Sequence, residues 1–239
     1  MSVHLYDTPE QLAEAAARAF VERAAKAIAE RGRFAVALAG GSTPKATYEV
    51  LARDHVADVD WPNAHVFFGD ERTVPPDHED SNYRMAREAL LDRVPVGSVH
   101  RMRGELPPDE AASSYEQELK EFFGGEPPIL DLVMLGIGED GHTASLFPET
   151  PALEVADRLV VANPVPRLET TRLTLTAPVL NAAREVLFLV AGGGKAEALA
   201  EILEGDADPR AYPAKLVRPT GGPIWMVDRA AAGSLRDPA

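Results

Sequence analysis

The sequence predicts an α/β fold with three layers, α/β/α, around a mostly parallel, Rossmann-like central sheet. Continuous apolar runs of strand length alternate along the chain with segments of helical period, and several of the runs end in glycine. Strands that are apolar throughout are typical of parallel sheets, because helices cover both faces of such a sheet. A crossover helix between successive strands accounts for the alternation.

The N-terminal half begins with a predicted helix near 9–31, an Ala-rich segment whose charged residues exclude a membrane span. Two apolar runs then predict strands, FAVALA at 34–39 and AHVFFG at 64–69. Each strand leads into a helix, the first beginning near Pro44 and the second covering about 82–93. This half therefore supplies two strand–helix units.

The run ILDLVML at 129–135 predicts a strand buried on both faces. Shorter apolar runs and segments of helical period predict the remaining elements. These are a short strand near 99–102, a helix at about 108–123, strands at 158–162 and 172–176, and a final unit of strand 186–191, helix 195–203 and strand 224–227. No Pro/Gly/Ser-rich linker divides the chain, so its 239 residues are expected to form one domain over 1–239.

Composition limits the possible functions. The net charge of −14 argues against binding to nucleic acid or to an anionic membrane, although a few local cations could still hold a small anionic substrate. The absence of cysteine excludes disulfides, thiolate catalysis and Cys-ligated zinc. No basic-then-apolar signal layout is present, so the expected location is the cytoplasm.

The turn at 40–44, GGSTP, follows the first predicted strand. Two glycines make the turn, Ser42 or Thr43 is expected to cap the next helix, and Pro44 suits its first position. Exposed N–H groups and the helix dipole would then form an anion site suited to phosphate. The alternative is an ordinary, well-capped turn, and the spacing is not that of a Walker A loop.

The sequence Gly69-Asp70-Glu71-Arg72 follows the second predicted strand. In one interpretation, Asp70 transfers protons and the Arg72 guanidinium binds an anion. In the other, Asp70 and Arg72 form a solvated ion pair in a loop. The nearby His78-Glu79-Asp80 lacks the helical spacing of a metal site and is interpreted as a polar loop that leads to Ser81, a helix cap. No metal site is predicted.

The segment at 136–148, GIGEDGHTASLFP, follows the buried strand at 129–135. Ligands of α/β proteins bind beyond the carboxyl ends of the strands, so His142 is a candidate general base, unless it only holds the loop by hydrogen bonds. The match of GIGEDG to a dinucleotide fingerprint is rejected, because Pro148 and Pro151 prevent the long helix that this motif requires.

A fourth turn, Gly192-Gly193-Gly194-Lys195, adds a cation at another strand end. A single lysine there could simply be exposed to solvent. Four strand ends together predict a pocket for a phosphorylated small molecule. They supply Ser/Thr, Asp/Arg, Asp/His and Gly/Lys residues.

These four blocks, in this order, resemble the 6-phosphogluconolactonases of the pentose phosphate pathway. The resemblance extends through Pro213-Ala214, Trp225, Asp228 and 230–232 near the end of the chain. It implies hydrolysis of 6-phospho-D-glucono-1,5-lactone to 6-phosphogluconate without a metal or cofactor, by a protein that we expect to be a monomer. The loop before Arg172 departs from the usual pattern, in which prolines lie closer to the strand.

The resemblance also implies site roles. His142 is the general base that activates water. The residues implied in holding phosphate or lactone oxygens are Gly40, Gly41, Ser42, Thr43, Arg72, Arg172 and Lys195. Asp70, Asn82 and Asp140 match polar positions of the pocket, and either acid could orient His142 or the sugar hydroxyls.

Two alternatives remain open. A glucosamine-6-phosphate deaminase/isomerase shares the Asp-Gly-His turn, but that pattern carries a glutamate in an Asn-Glu-Pro run where this chain has Leu146-Phe147-Pro148. A non-catalytic sugar-phosphate sensor could use the same pocket, although it would not need His142. Release of ammonia would identify the first, and binding without turnover the second.

Overall fold

The computed structural model describes residues 1–236. It contains a seven-stranded sheet of order β1-β10-β9-β6-β2-β3-β5 and a three-stranded sheet of order β4-β8-β7. The strands are β1 Ser2–Tyr6, β2 Phe34–Leu38, β3 Ala64–Phe68, β4 Asp70–Arg72, β5 Ser98–Val99, β6 Leu132–Leu135, β7 Val160–Val165, β8 Thr170–Leu175, β9 Val186–Val190 and β10 Ile224–Asp228. The helices are α1 Pro9–Arg31, α2 Ser42–Asp54, α3 Asn82–Ala89, α4 Pro108–Phe122, α5 Ala177–Ala182 and α6 Ala196–Glu204.

The predicted α/β class with a mostly parallel sheet is confirmed. Every strand pair of the large sheet is parallel, while the small sheet is antiparallel. All five residues of β2 are buried, and their side chains alternate between two apolar clusters. Phe34, Val36 and Leu38 pack with α1 and α2, whereas Ala35 and Ala37 pack with α4 and the small sheet. Covering both faces in this way explains why the run lacks polar residues.

Helix α1 has the bounds that its sequence predicts. Thr8 caps its N-terminus by accepting a hydrogen bond from the N–H of Gln11, and Gly32 ends it in the left-handed conformation, with φ 74°. Alanines at helical spacing on its buried face let the helix approach the sheet closely.

Three elements of the structure were not predicted from the sequence. β1 was not expected, because this edge strand pairs only with β10 and all five of its residues are partly or fully exposed. The segment 70–72, for which a loop was one of two alternatives, is a strand that pairs with β8. The short helix α5 was also missed. Elements that form only by pairing or packing with another element need not show a hydrophobic pattern in their own sequence.

Most other bounds shift by a few residues. The strands expected at 158–162 and 172–176 are β7 and β8, which form an antiparallel hairpin. The strand expected at 129–135 begins only at Leu132, and the one near 99–102 is reduced to Ser98–Val99. The helix expected over 82–93 ends at Ala89 and is followed by a short 3-10 turn. No helix among residues 1–236 is long and apolar enough to cross a membrane.

Candidate active site

A cavity of about 660 Å³ opens at the carboxyl end of the large sheet, next to the small sheet. Loops after β2, β6 and β9 line it, together with strands β4 and β8. The structure brings to this cavity all of the predicted site residues, which are Gly40, Gly41, Ser42, Thr43, Asp70, Arg72, Asn82, Asp140, His142, Arg172 and Lys195. Their placement together leaves their individual roles as predictions.

The turn between β2 and α2 differs from its prediction. Helix α2 begins at Ser42, Gly41 is its N-cap, and no side chain makes a capping hydrogen bond. Ser42 and Thr43 both lie within the first turn of the helix, so neither is the N-cap residue. The expectation that one of them caps α2 is therefore wrong. Gly41 has φ 97°, which favours glycine. The first turn of α2 consequently presents backbone N–H groups and two hydroxyls beside the cavity.

Asp70 is buried, with 8% of its surface exposed. Its Oδ2 accepts a hydrogen bond of 2.6 Å from the Ser145 hydroxyl, and its Oδ1 accepts one of 3.2 Å from the amide of Asn82. It forms no ion pair with Arg72 in the described chain, so the alternative of a solvated Asp–Arg pair is wrong. A carboxylate held in this way has a fixed orientation at the cavity wall.

Arg72 and Arg172 lie directly opposite each other on β4 and β8. Like charges in such a cross-strand pair repel, which is unfavourable unless an anion lies between or beside them. Burial, and then the charge of Arg72, lower the pKa of Arg172, and its buried Nε has no hydrogen-bond partner. Within residues 1–236, neither arginine nor Lys195 forms an ion pair, although all three line the cavity. Three cations without a carboxylate partner beside one cavity are chemically suited to an anion, and that role stays a prediction.

His142 lies on the turn after β6, where Gly138 and Gly141 allow the backbone to fold tightly. A Cβ at Gly138 would collide with Nδ1 of His142, and Gly141 has φ 76°. The ring stacks on Phe147 with 4.1 Å between centroids. Its Nδ1 lies 2.5 Å from Oδ1 of Asp140. Because an ionised carboxylate only accepts, Nδ1 carries the proton and the Nε2 lone pair is free.

Burial lowers the pKa of His142 to about 4. The negative charge of Asp70 opposes this shift, while the positive charges of Lys195, Arg172 and Arg72 add to it. The imidazole is therefore neutral at pH 7, the form in which a histidine can accept a proton.

The family described as glucosamine-6-phosphate isomerases/6-phosphogluconolactonase matches residues 7–226. The chain belongs to this family. It is 49% identical over 207 residues to a 6-phosphogluconolactonase of Synechocystis, with 84% of each chain covered. It is 40% identical to the human 6-phosphogluconolactonase, covering 99% of this chain and 94% of that one. The solved structure of the 6-phosphogluconolactonase from Trypanosoma cruzi superposes with a TM-score of 0.86 at 29% identity, covering 99% and 97% of the two chains.

Several supporting residues of this family member were not singled out from the sequence. The buried Glu71 accepts hydrogen bonds from the backbone N–H groups of Asn82 and Tyr83 and from the Ser81 hydroxyl. It thereby fastens β4 to the start of α3, which brings Asn82 beside Asp70. Burial raises the pKa of Glu71, partly offset by these hydrogen bonds. Its place in the Gly69-Asp70-Glu71-Arg72 block, between two predicted site residues, was the one signal in the sequence.

Asp228 supports the turn that carries Lys195. It is buried and accepts hydrogen bonds from the N–H groups of Gly192 and Ala231. Gly192 itself has φ 95°. A charged residue at the end of the apolar strand β10 was the signal for such a role, since an isolated carboxylate would not be buried without donors.

Arg167 also lines the cavity and pairs with Asp140, although it was not predicted as a site residue. It lies in the loop before Arg172, where the resemblance was weakest. Among residues 1–236, no group of three or more His, Asp or Glu residues is arranged to hold a metal ion. That a reaction here needs no metal stays a prediction.

Proposed function

We propose that this protein hydrolyses 6-phospho-D-glucono-1,5-lactone to 6-phosphogluconate, as a step of the oxidative pentose phosphate pathway in the cytoplasm, and that it acts as a monomer. One observation carries the proposal. His142, whose lowered pKa keeps it neutral and whose Nδ1 is hydrogen-bonded to Asp140, presents Nε2 to a cavity whose wall also holds Arg72, Arg172 and Lys195, three cations that form no ion pair within residues 1–236. Membership of the family and the names of the relatives support the choice of substrate.

In the proposed reaction, Nε2 of His142 removes a proton from water while the water oxygen attacks the lactone carbonyl carbon. The resulting oxyanion is stabilised electrostatically by the cations of the cavity. The intermediate then collapses with cleavage of the ring C–O bond, and the imidazolium returns its proton to the departing oxygen. The product carboxylic acid ionises at neutral pH. No covalent enzyme intermediate and no cofactor takes part.

The substrate phosphate is proposed to bind at the first turn of α2, with Arg72, Arg172 and Lys195 as the available cations. The N–H groups at the start of a helix and the guanidinium fork both match phosphate oxygens. Binding energy from the phosphate would fix the lactone ring relative to His142, which lowers the entropic part of the barrier.

The deciding experiment is lactonase activity on freshly made 6-phosphogluconolactone, with unphosphorylated gluconolactone as the control. Acid release is followed at constant pH and corrected for spontaneous ring opening. A strong preference for the phosphorylated lactone is expected, because only that compound uses the anion site. Equal rates on both lactones would contradict the proposed phosphate site.

The family also includes glucosamine-6-phosphate isomerases, so deamination is the second candidate. Phe147, whose ring stacks on His142, lies in the run where the deaminase pattern has its glutamate. Incubation with glucosamine 6-phosphate and an ammonia assay separates the two activities. Ammonia release without lactone hydrolysis would reverse the assignment, and binding without either reaction would indicate a sensor.

A further inference from the structure

The turn between β7 and β8 brings a cation to the candidate active site from outside the large sheet. Residues Pro166–Leu168 form a 3-10 turn, and Glu169 follows with φ 50°. The side chain of Arg167 is about half exposed, yet it lines the cavity together with Leu168. Its position depends on the hairpin rather than on the parallel strands that carry His142.

Two groups share the carboxylate of Asp140. Its Oδ1 accepts the Nδ1–H of His142, and its Oδ2 pairs with Nη2 of Arg167. The Arg167 guanidinium also lies over the ring of Phe147, with 5.0 Å from Cζ to the centroid, and His142 stacks on that same ring. Arg167, Asp140, Phe147 and His142 therefore form one contiguous group.

We propose that Arg167 is a positioning residue that sets the basicity of His142 through Asp140. This inference rests on the proposed role of His142 as general base. A carboxylate that is already paired with a guanidinium stabilises an adjacent imidazolium less than a free carboxylate does. The same ion pair acts with the backbone N–H of His142, which also donates to Oδ1, to restrain the carboxylate against the imidazole. Arg167 thus keeps the base neutral and aligned between turnovers.

The other charges around His142 come from elements that do not involve the hairpin tip. They are Asp70 and Arg72 on β4, Arg172 on β8, and Lys195 after β9. Substitution of Arg167 leaves all of them in place. A change in the titration of His142 on substitution of Arg167 therefore reports the Arg167–Asp140 pair.

The test compares Arg167→Gln with Arg167→Lys, and uses Arg229→Gln as the matched control. Arg229 is also exposed and paired with an aspartate, Asp7, but it is not part of the cavity lining. Two readouts are needed, the pH profile of kcat/KM and the NMR titration of the His142 imidazole. Melting curves check that each variant is folded.

In Arg167→Gln, the imidazolium is no longer opposed by the guanidinium, so both the acid limb and the NMR titration should move to higher pH, by about one unit. Arg167→Lys should restore most of the shift, and Arg229→Gln should show none. An Arg167→Gln variant with unchanged titration and only a raised KM would overturn the proposal and make Arg167 a substrate contact. If the parent protein lacked lactonase activity, the proposed function would fail, while the NMR titration would still decide the coupling.

Discussion

At the residue scale, the proposed general base is His142 hydrogen-bonded to Asp140 rather than a histidine alone. A free imidazole titrates at about pH 6.5 and would be partly protonated at neutral pH. Here burial favours the neutral ring, and the hydrogen bond to Asp140 places the proton on Nδ1. The other ring nitrogen, Nε2, can then accept a proton from water at any pH above the pKa of His142.

We expect His142→Ala to lower kcat by about 10²–10⁴-fold, the usual contribution of a positioned general base. Binding of 6-phosphogluconate should change little, because the cations that attract its phosphate are untouched. Stopped assays for rate and calorimetry for binding measure the two effects. The matched control is His78→Ala, since His78 lies in an exposed loop outside the cavity lining. Full activity in His142→Ala would show that another group is the base.

The pH dependence follows from the lowered pKa of His142, about 4. The proposed mechanism requires the neutral imidazole, so kcat at saturating substrate should stay level from pH 7 downwards and fall only as the pH approaches about 4. We choose kcat rather than kcat/KM because the phosphate of the free substrate itself titrates at about pH 6. The profile is measured with correction for spontaneous ring opening, and circular dichroism confirms that the protein remains folded. An acid limb near pH 6.5 would contradict the burial argument.

Residues of the site differed in how far the sequence could predict them. Asp140 and His142 belong to one short glycine-flanked turn after an apolar strand, so local sequence is enough to place them. Arg167 reaches Asp140 only because β7 and β8 form a hairpin beside the large sheet. No local pattern in the sequence encodes that contact.

At the scale of elements, the pairing of β4 with β8 brings together the two arginines of the proposed anion site. Its register sets Arg72 opposite Arg172, and Asp70 opposite Thr174. The sequence identified both arginines but not their pairing, because a three-residue charged strand shows no hydrophobic alternation. The repulsion between the two arginines lowers the free energy of unfolding of the protein without ligand, in exchange for binding an anion.

We expect Arg172→Met to stabilise the free protein and to weaken substrate binding. Removing the repulsion should contribute about 1 kcal/mol, or roughly 2–4 °C in Tm for a chain of this size. Arg172→Lys is the matched control, since it keeps the charge and should show no such gain. Thermal unfolding and KM for the phosphorylated lactone are the measurements. A Tm for Arg172→Met below that of Arg172→Lys would refute the argument.

At the scale of the whole molecule, the cavity forms only if the small sheet is held against the large sheet and its helices. Glu116 on α4 provides one such connection. It accepts hydrogen bonds from Lys120 and Arg158 and from the N–H groups of Leu159 and Val160, at the start of β7. Burial alone would raise the pKa of Glu116, but these hydrogen bonds lower it to about 2.

Glu116→Gln should therefore destabilise the protein at pH 7, by about 2 kcal/mol, the range for hydrogen bonds to a charged group. Because the folded-state pKa lies below the ordinary value of 4.5, this stabilisation is complete above about pH 4.5 and is lost as the pH falls towards 2. Urea unfolding at several pH values measures it. Glu121→Gln, on the exposed side of the same helix, is the control, and an equal loss there would contradict the assignment.

The sequence was sufficient for the class of fold, because apolar runs such as Phe34–Leu38 are buried between two layers of helices. It was not sufficient for the separation of β4, β7 and β8 into a second sheet. The hairpin of β7 and β8 is local, but the pairing of β4 with β8 and the contacts of Glu116 with the start of β7 join distant parts of the chain, which a local pattern does not contain. The cavity between the two sheets could therefore be inferred only as a list of converging residues.

The facing arginines have a practical consequence for work with the purified protein. A doubly charged inorganic anion relieves their repulsion whether or not a sugar is attached to it. We expect sulfate and orthophosphate in a buffer to bind at the proposed phosphate site and to compete with the phosphorylated substrate. Apparent affinities determined in such buffers will be too weak, whereas the same salts will make storage samples more resistant to heat.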